Sequence, residues 1–225
     1  MLRKISFPLL MGVLGCAILI ALAVWQVQRL SWKTEILDQI AATIIAPPVA
    51  LPADPDPVAD KYLPVSTSGR IIGMPLSVLV STADNGAGYR TITAFRTDQG
   101  RTIVADFGFL SLDDGGSALP EGPVTLTGNL LWPDEVDNWT PAPDVKTGIW
   151  FARDLPAMAA ALNADSILLV ARDITPAGPT TPMPVGIQGI PNDHLGYAIT
   201  WFMLAAGWAL MTGLLIFRTL RQKDA

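Results

Sequence analysis

The sequence predicts an α+β membrane protein: two transmembrane helices flank a β-rich extracytoplasmic domain, an antiparallel sheet or small barrel with one short helix. Three observations predict it. Residues 5–27 and 195–217 form two blocks without a single charged residue. Between them run short stretches of β-branched and apolar residues divided by Gly and Asp. Basic residues sit outside both blocks, Arg3 and Lys4 before the first and Arg218, Arg221 and Lys223 after the second.

A helix rises about 1.5 Å per residue, so about 20 apolar residues cross a hydrocarbon core of about 30 Å. Both blocks are long enough. Hydrocarbon offers the backbone no hydrogen-bond partner, so such a block spans as a helix. Positive flanks stay on the cytoplasmic side. The expected location is therefore a bacterial inner membrane, with two passes, both termini cytoplasmic and the central domain periplasmic. No Arg- and Ser-rich presequence of the mitochondrial kind precedes it. A cleavable secretory signal is the rival reading of the first block, because Arg3-Lys4 and Ala21-Leu22-Ala23 fit that plan. Against it, the apolar stretch exceeds a signal core and runs on as helix, with Trp25 and Trp32 at interfacial depth.

The elements follow in order. Residues 1–45 are the first transmembrane helix with an extracytoplasmic extension, since 26–42 hold no helix breaker and Pro47-Pro48 stop the helix. Residues 46–61, with five prolines and three aspartates in 47–60, read as an extended connector. Residues 62–174 are the β-rich domain, with strands expected at 62–70, 75–81, 89–96, 101–107, 123–130, 149–153 and 166–172. Thr97-Asp98-Gln99-Gly100 makes a hairpin turn between 89–96 and 101–107. Met and Ala replace β-branched residues over 155–162, which reads as the short helix. Residues 175–193, again rich in Pro and Gly, are a return tether; 194–217 is the second transmembrane helix and 218–225 the cytoplasmic tail.

Several function classes fall away. Ten basic and nineteen acidic residues lie between the blocks, a net of −9, which repels nucleic-acid phosphate. Cys16 is the only cysteine and His194 the only histidine, so neither a Cys-x-x-Cys pair nor a multi-histidine metal cage is available. Asp113-Asp114 and the Asp134/Glu135/Asp137 cluster lack the ligand spacing of a calcium loop and read as solvated loop charge. Gly86-Ala87-Gly88 reads as a turn.

His194 opens the second block within Asn192-Asp193-His194-Leu195, with Asn192 expected as the N-cap. An ionisable side chain at the edge of a span is a site hypothesis by default, and a satisfied interfacial histidine is its rival. Helical spacing puts His194, Tyr197, Ala198, Trp201, Ala205 and Trp208 near one face, small residues among flat aromatics. That face suits a planar apolar ligand, and equally an aromatic belt with ordinary helix packing. On the other helix Trp25, Arg29, Trp32 and Lys33 share a face, where the cations either meet anionic groups or snorkel to headgroups.

At these segments the chain resembles the surfeit locus protein one family. LAVWQVQRLSWK (22–33) resembles that family's first-span exit, YLPVSTSGR (62–70) its opening strand, and PNDHLGYAITWF (191–202) the start of its second span; 86–107 follows its Gly-rich turn and hairpin. One departure stands out: the family's Asn-Arg-Gly-Trp at the hairpin end is Ala105-Asp106-Phe107-Gly108-Phe109 here. The resemblance implies a non-enzymatic assembly factor for haem-copper cytochrome c oxidase, which binds haem a and assists its insertion into the catalytic subunit. His194 is then the axial ligand of the haem iron. Tyr197, Trp201 and Trp25 line the ring, and Arg29 and Lys33 lie near the propionates. The implied partners are the oxidase catalytic subunit, a haem a synthase and the lipid bilayer. Two rivals are a haem-free membrane scaffold for the nascent oxidase subunit, and a membrane-anchored enzyme using Asp134 to Asp137. The second has no base, nucleophile or metal set behind it.

Overall fold

The computed structural model describes residues 2–82, 85–112, 119–144 and 146–221. Asp113-Asp114 and Lys223 lie outside them. Two compact units result, one from Met1–Gln39 with Ile187–Ala225 and one from Ile40–Gly186. Helix α1 spans Leu2–Ile44 and helix α3 spans His194–Arg221. Both are long and apolar enough to cross a membrane.

In the sequence between them the described residues form seven strands and a short helix: β1 (Val49–Ala50), β2 (Pro64–Thr82), β3 (Gly86–Thr97), β4 (Thr102–Ser111), β5 (Pro123–Leu131), β6 (Ile149–Trp150), α2 (Leu155–Leu162) and β7 (Asp165–Thr175). Pairing runs β2–β3–β4–β7–β5 and returns to β2, so five strands close into a small barrel. The corner is made where Gly69 pairs Thr97 on one side and Val124 on the other. A Cβ at Gly69 would overlap the Arg96 carbonyl, so only glycine lets the strands come this close.

The barrel is mixed, which corrects the expected antiparallel sheet. Helix α2 carries the chain back across the barrel, so β7 enters parallel to β4; β1 and β6 also lie parallel to β2. The strands expected at 62–70 and 75–81 are one strand, interrupted only by a bulge between Ile72 and Leu76, where Gly73 and Pro75 sit. Gly86-Ala87-Gly88, expected as a turn, opens β3 instead. The strand expected at 149–153 stops at Trp150, because Asp154 already caps α2: its Oδ1 accepts from the Ala157 N–H at 3.1 Å. The helix closes on Asn163 in the left-handed conformation (φ 51°).

Alternation along the strands sorts the apolar residues into two cores. Phe95, Ile103, Ala105, Phe107, Leu126, Leu130, Leu169 and Ala171 belong to the cluster inside the ring. Ile92, Val104, Leu168 and Val170 pack outward with Trp150 and with Leu155, Met158 and Ala159 of α2. Burying one such large side chain contributes about 1.5–3 kcal/mol, so both clusters stabilise this unit.

Residues 46–61 and 175–186 are bound to the barrel rather than free connectors. Val49 and Ala50 pair with Val65 and Ser66, and Arg101 Nη1 donates to the Pro52 carbonyl at 3.0 Å. On the return side, Phe109 and Thr181 exchange N–H···O bonds of 2.7 and 2.9 Å. These bonds are available because both segments run extended and expose their backbone groups.

Candidate functional site

In the helical unit α1 and α3 lie antiparallel, brought close by small residues. Gly12 faces Thr212, and Gly15 lies under the Trp208 indole, where a Cβ would overlap the ring. Trp208 Nε1 donates to the Met11 carbonyl at 3.3 Å. Ala23, Ala198 and Ala205 are buried in the seam. Small side chains here let the two backbones approach closely, as they do in helix pairs that cross a membrane.

At the His194 end of the seam the contact turns polar. His194 Nδ1 lies 2.8 Å from Gln26 Oε1, and Gln26 is only 8% exposed. With the amide oxygen as acceptor, Nδ1–H donates and Nε2 keeps its lone pair. This is the arrangement of a metal-binding imidazole, whose other nitrogen is normally held by a hydrogen bond. A second nearby polar atom is unused: Asn192 Oδ1 is buried and has no partner. The expected Asn192 cap is therefore not formed, and the first helical bond runs from the Tyr197 N–H to the Asp193 carbonyl at 3.2 Å.

The other expected site residues are spread around this pair. Trp201, Arg29 and Lys33 are half-buried. Arg29 stacks over the Trp32 ring with 4.2 Å from its guanidinium carbon to the centroid. Trp25 is 51% exposed and Tyr197 58% exposed, so both turn away from the seam. Among the described residues no hydrogen bond or ion pair joins Trp25, Arg29, Lys33, His194, Tyr197 and Trp201 to one another. Gln26 was missed by reading the sequence, although an amide in a charge-free block is a signal in itself: buried without a partner it would cost a few kcal/mol.

The barrel unit carries a second constellation, which the sequence signalled through one acid inside the apolar run Ile103–Phe109. Asp106 is wholly buried. Its Oδ2 lies 2.8 Å from Arg90 Nε and 3.6 Å from Arg153 Nη1, and its Oδ1 accepts from the Gly108 N–H at 2.9 Å. Gly108 has a φ of +96°, and a Cβ there would overlap the Thr181 carbonyl. Arg90 Nη2 donates to the Met183 carbonyl at 2.6 Å. Arg153 forks onto Glu135, with its own backbone N–H adding a bond of 3.0 Å. Glu135 is thus paired, which corrects its reading as solvated loop charge. Asp137 accepts from the Trp139 N–H at 2.8 Å, shaping its own turn.

Burial pushes the Asp106 carboxyl above the usual carboxylate range, against the opposing pull of Arg90 and Arg153. It also lowers Arg90 despite Asp106. Burial alone would raise Glu135, but the Arg153 bonds outweigh it and hold the carboxyl below its ordinary value. Likewise burial would lower Arg153, and its bonds to Glu135 raise it instead. The network ties β3, β4, the stretch before α2 and the return segment together. Among the described residues no three His, Cys, Asp or Glu side chains converge to hold a metal ion.

Comparison with known proteins gives a consistent answer. A family model described as the SURF1 family matches residues 13–206. "Surfeit locus protein 1" of Homo sapiens is 29% identical over 214 residues, covering 82% of this chain and 69% of that protein. The Gallus gallus protein of the same name is 29% identical over 232 residues, covering 90% and 72%. A "SURF1-like protein" of Rickettsia bellii is 28% identical over 200 residues, covering 84% and 82%.

Proposed function

The chain belongs to the SURF1 family, and on that footing we propose that it is a non-enzymatic, two-pass membrane factor that assists assembly of a haem-copper cytochrome c oxidase. It carries haem a as cargo on His194 and hands it to the oxidase's catalytic subunit. The observation that carries the haem step is the His194–Gln26 contact of 2.8 Å, which ties down one ring nitrogen and leaves the other. A haem iron takes an axial histidine readily, and its apolar surroundings tune it. A single protein ligand is also one that can be exchanged at handover.

The two helices support the membrane part of this reading. Each has the length and hydropathy to span, and the flanking cations support a cytoplasmic side for both termini. Haem a then sits at the membrane edge with its ring against Trp201 and its tail in lipid. Arg29 and Lys33 would neutralise the propionates, and the exposed Trp25 and Tyr197 would line the ring outside the seam.

The test is a haem assay on full-length protein co-expressed with the haem a synthesis enzymes. Wild type and His194→Ala are purified in detergent and compared by absorption spectrum and pyridine haemochrome. Near-stoichiometric haem a on wild type, largely lost in the variant, is the expected result. Equal haem on both removes His194 as ligand. No haem on either, with the supply verified, favours a haem-free scaffold for the nascent subunit.

A further inference from the structure

We propose that Gln26 is a positioning residue that fixes which nitrogen of His194 is offered to a metal. Its side-chain oxygen holds the proton on Nδ1, so Nε2 is left as the ligating atom. The identity of the metal centre rests on the haem reading above; the tautomer does not.

Gln26 is buried in a charge-free block of membrane-spanning length, where a leucine of similar volume would pack without a polar penalty. The amide is compensated by one specific partner, 168 residues away in sequence. Ala23 one turn below Gln26, and Ala198 one turn along from His194, are both buried. They let the helices approach closely enough for a side chain as short as glutamine to reach the ring.

A neutral imidazole has two tautomers, and a free ring interconverts between them. An acceptor fixed at Nδ1 selects the Nδ1–H form and sets the plane of the ring at the same time. Groups of this kind around a metal-binding histidine are worth about 10–100-fold in metal affinity. Gln26 is suited to the task because it is neutral: it orients the ring without adding a charge beside the iron, so the bond to a transferable cargo stays weak enough to break.

The test uses a property of this chain. His194 is its only histidine, so histidine labelled with nitrogen-15 reports one imidazole and nothing else. Full-length protein is placed in nanodiscs of phosphatidylethanolamine and phosphatidylglycerol, without haem, at a pH where the ring is neutral. Wild type is expected to show a protonated Nδ1 and a pyridine-type Nε2. Gln26→Leu loses that pattern to the Nε2–H form or an exchanging mixture, and Gln26→Glu, which keeps an acceptor, restores it. A wild type with its proton on Nε2, or a Gln26→Leu protein with an unchanged pattern, overturns the proposal.

Haem binding provides the second arm. Gln26→Leu is expected to lower haem a affinity about 10–100-fold and shift the Soret band, with Gln26→Glu recovering most of the loss. Haem affinity and spectrum identical to wild type in Gln26→Leu would deny Gln26 its positioning role while leaving His194 as ligand. Wild type that binds no haem but shows the Gln26-dependent tautomer would sink the haem reading and sustain the assignment of Gln26.

Discussion

The Arg90 guanidinium Nε lies 2.8 Å from Oδ2 of Asp106, a side chain with no exposure to solvent. The contact lacks hydrogen-bond alignment, so the pair is held by charge. Removing one partner leaves the other charged in the interior, which typically costs about 3–5 kcal/mol. Asp106→Ala is expected to destabilise the protein by that amount in denaturant unfolding of the full chain in detergent. The double variant Asp106→Leu, Arg90→Met should recover most of it, because no unpaired charge remains. Equal destabilisation by single and double variants would refute this.

Acid should reveal Glu135. Its carboxyl is held below the ordinary value of 4.5 by Arg153, so its stabilisation is present above pH 4.5 and is lost as the pH falls through its lowered folded value. Asp106 is raised and has the opposite sign: its contribution favours the fold at low pH and fades as the pH rises through its folded value. Glu135→Gln is expected to be less stable than wild type at neutral pH by about 0.5–1 kcal/mol after solvent screening. That gap should close on acidification below 4.5. A constant gap across the titration would show that the ionic pairing is irrelevant.

Phe107 is wholly buried inside the ring. Phe107→Ala should cost about 3–5 kcal/mol, from lost transfer energy and the cavity left behind. Phe107→Leu should cost clearly less, as measured by the shift in the unfolding midpoint.

Gly108 allows the return segment to lie on β4. Gly108→Ala brings a Cβ into the Thr181 carbonyl at a φ of +96°, a strain of about 1–3 kcal/mol. The expected readout is hydrogen exchange: the Phe109 and Thr181 amides, bonded to each other's carbonyls, lose protection while the interior strands keep theirs.

Topology can be read with cysteines in a Cys16→Ala background. Met74 is 85% exposed on the barrel unit, and Met74→Cys should react with a membrane-impermeant maleimide in intact spheroplasts. Thr219→Cys, near the end of α3, should react only after permeabilisation. The reverse pattern would invert the orientation.

Much of this fold was legible where the signal is local. Charge-free blocks gave both long helices, Met and Ala over 155–162 gave α2, and Thr97 to Gly100 gave the hairpin, whose Gly100 N–H donates to the Thr97 carbonyl at 2.9 Å. What stayed hidden depends on residues far apart in sequence. Nothing in 166–172 says that β7 will pair with β4 in parallel, and Gly73 with Pro75 read as a break where the strand only bulges. At the candidate site His194 was visible as an ionisable group at the edge of an apolar block. Gln26 was not, because its meaning comes from a partner on the other helix. Glu135 was misread for the same reason, since Arg153 is eighteen positions away.

The place of β7 in the ring has a consequence for how the protein is made. It is the last strand to leave the ribosome, yet it lies between β4 and β5. Until residue 175 has emerged, both of those strands carry unsatisfied backbone along a full side, the surface on which chains associate wrongly. Ring closure must therefore wait until nearly the whole inter-helix segment has been synthesised. A chain interrupted before residue 165 would keep most of its apolar interior sequence and have no means of enclosing it. For such products, removal by proteolysis is a more natural fate than partial function.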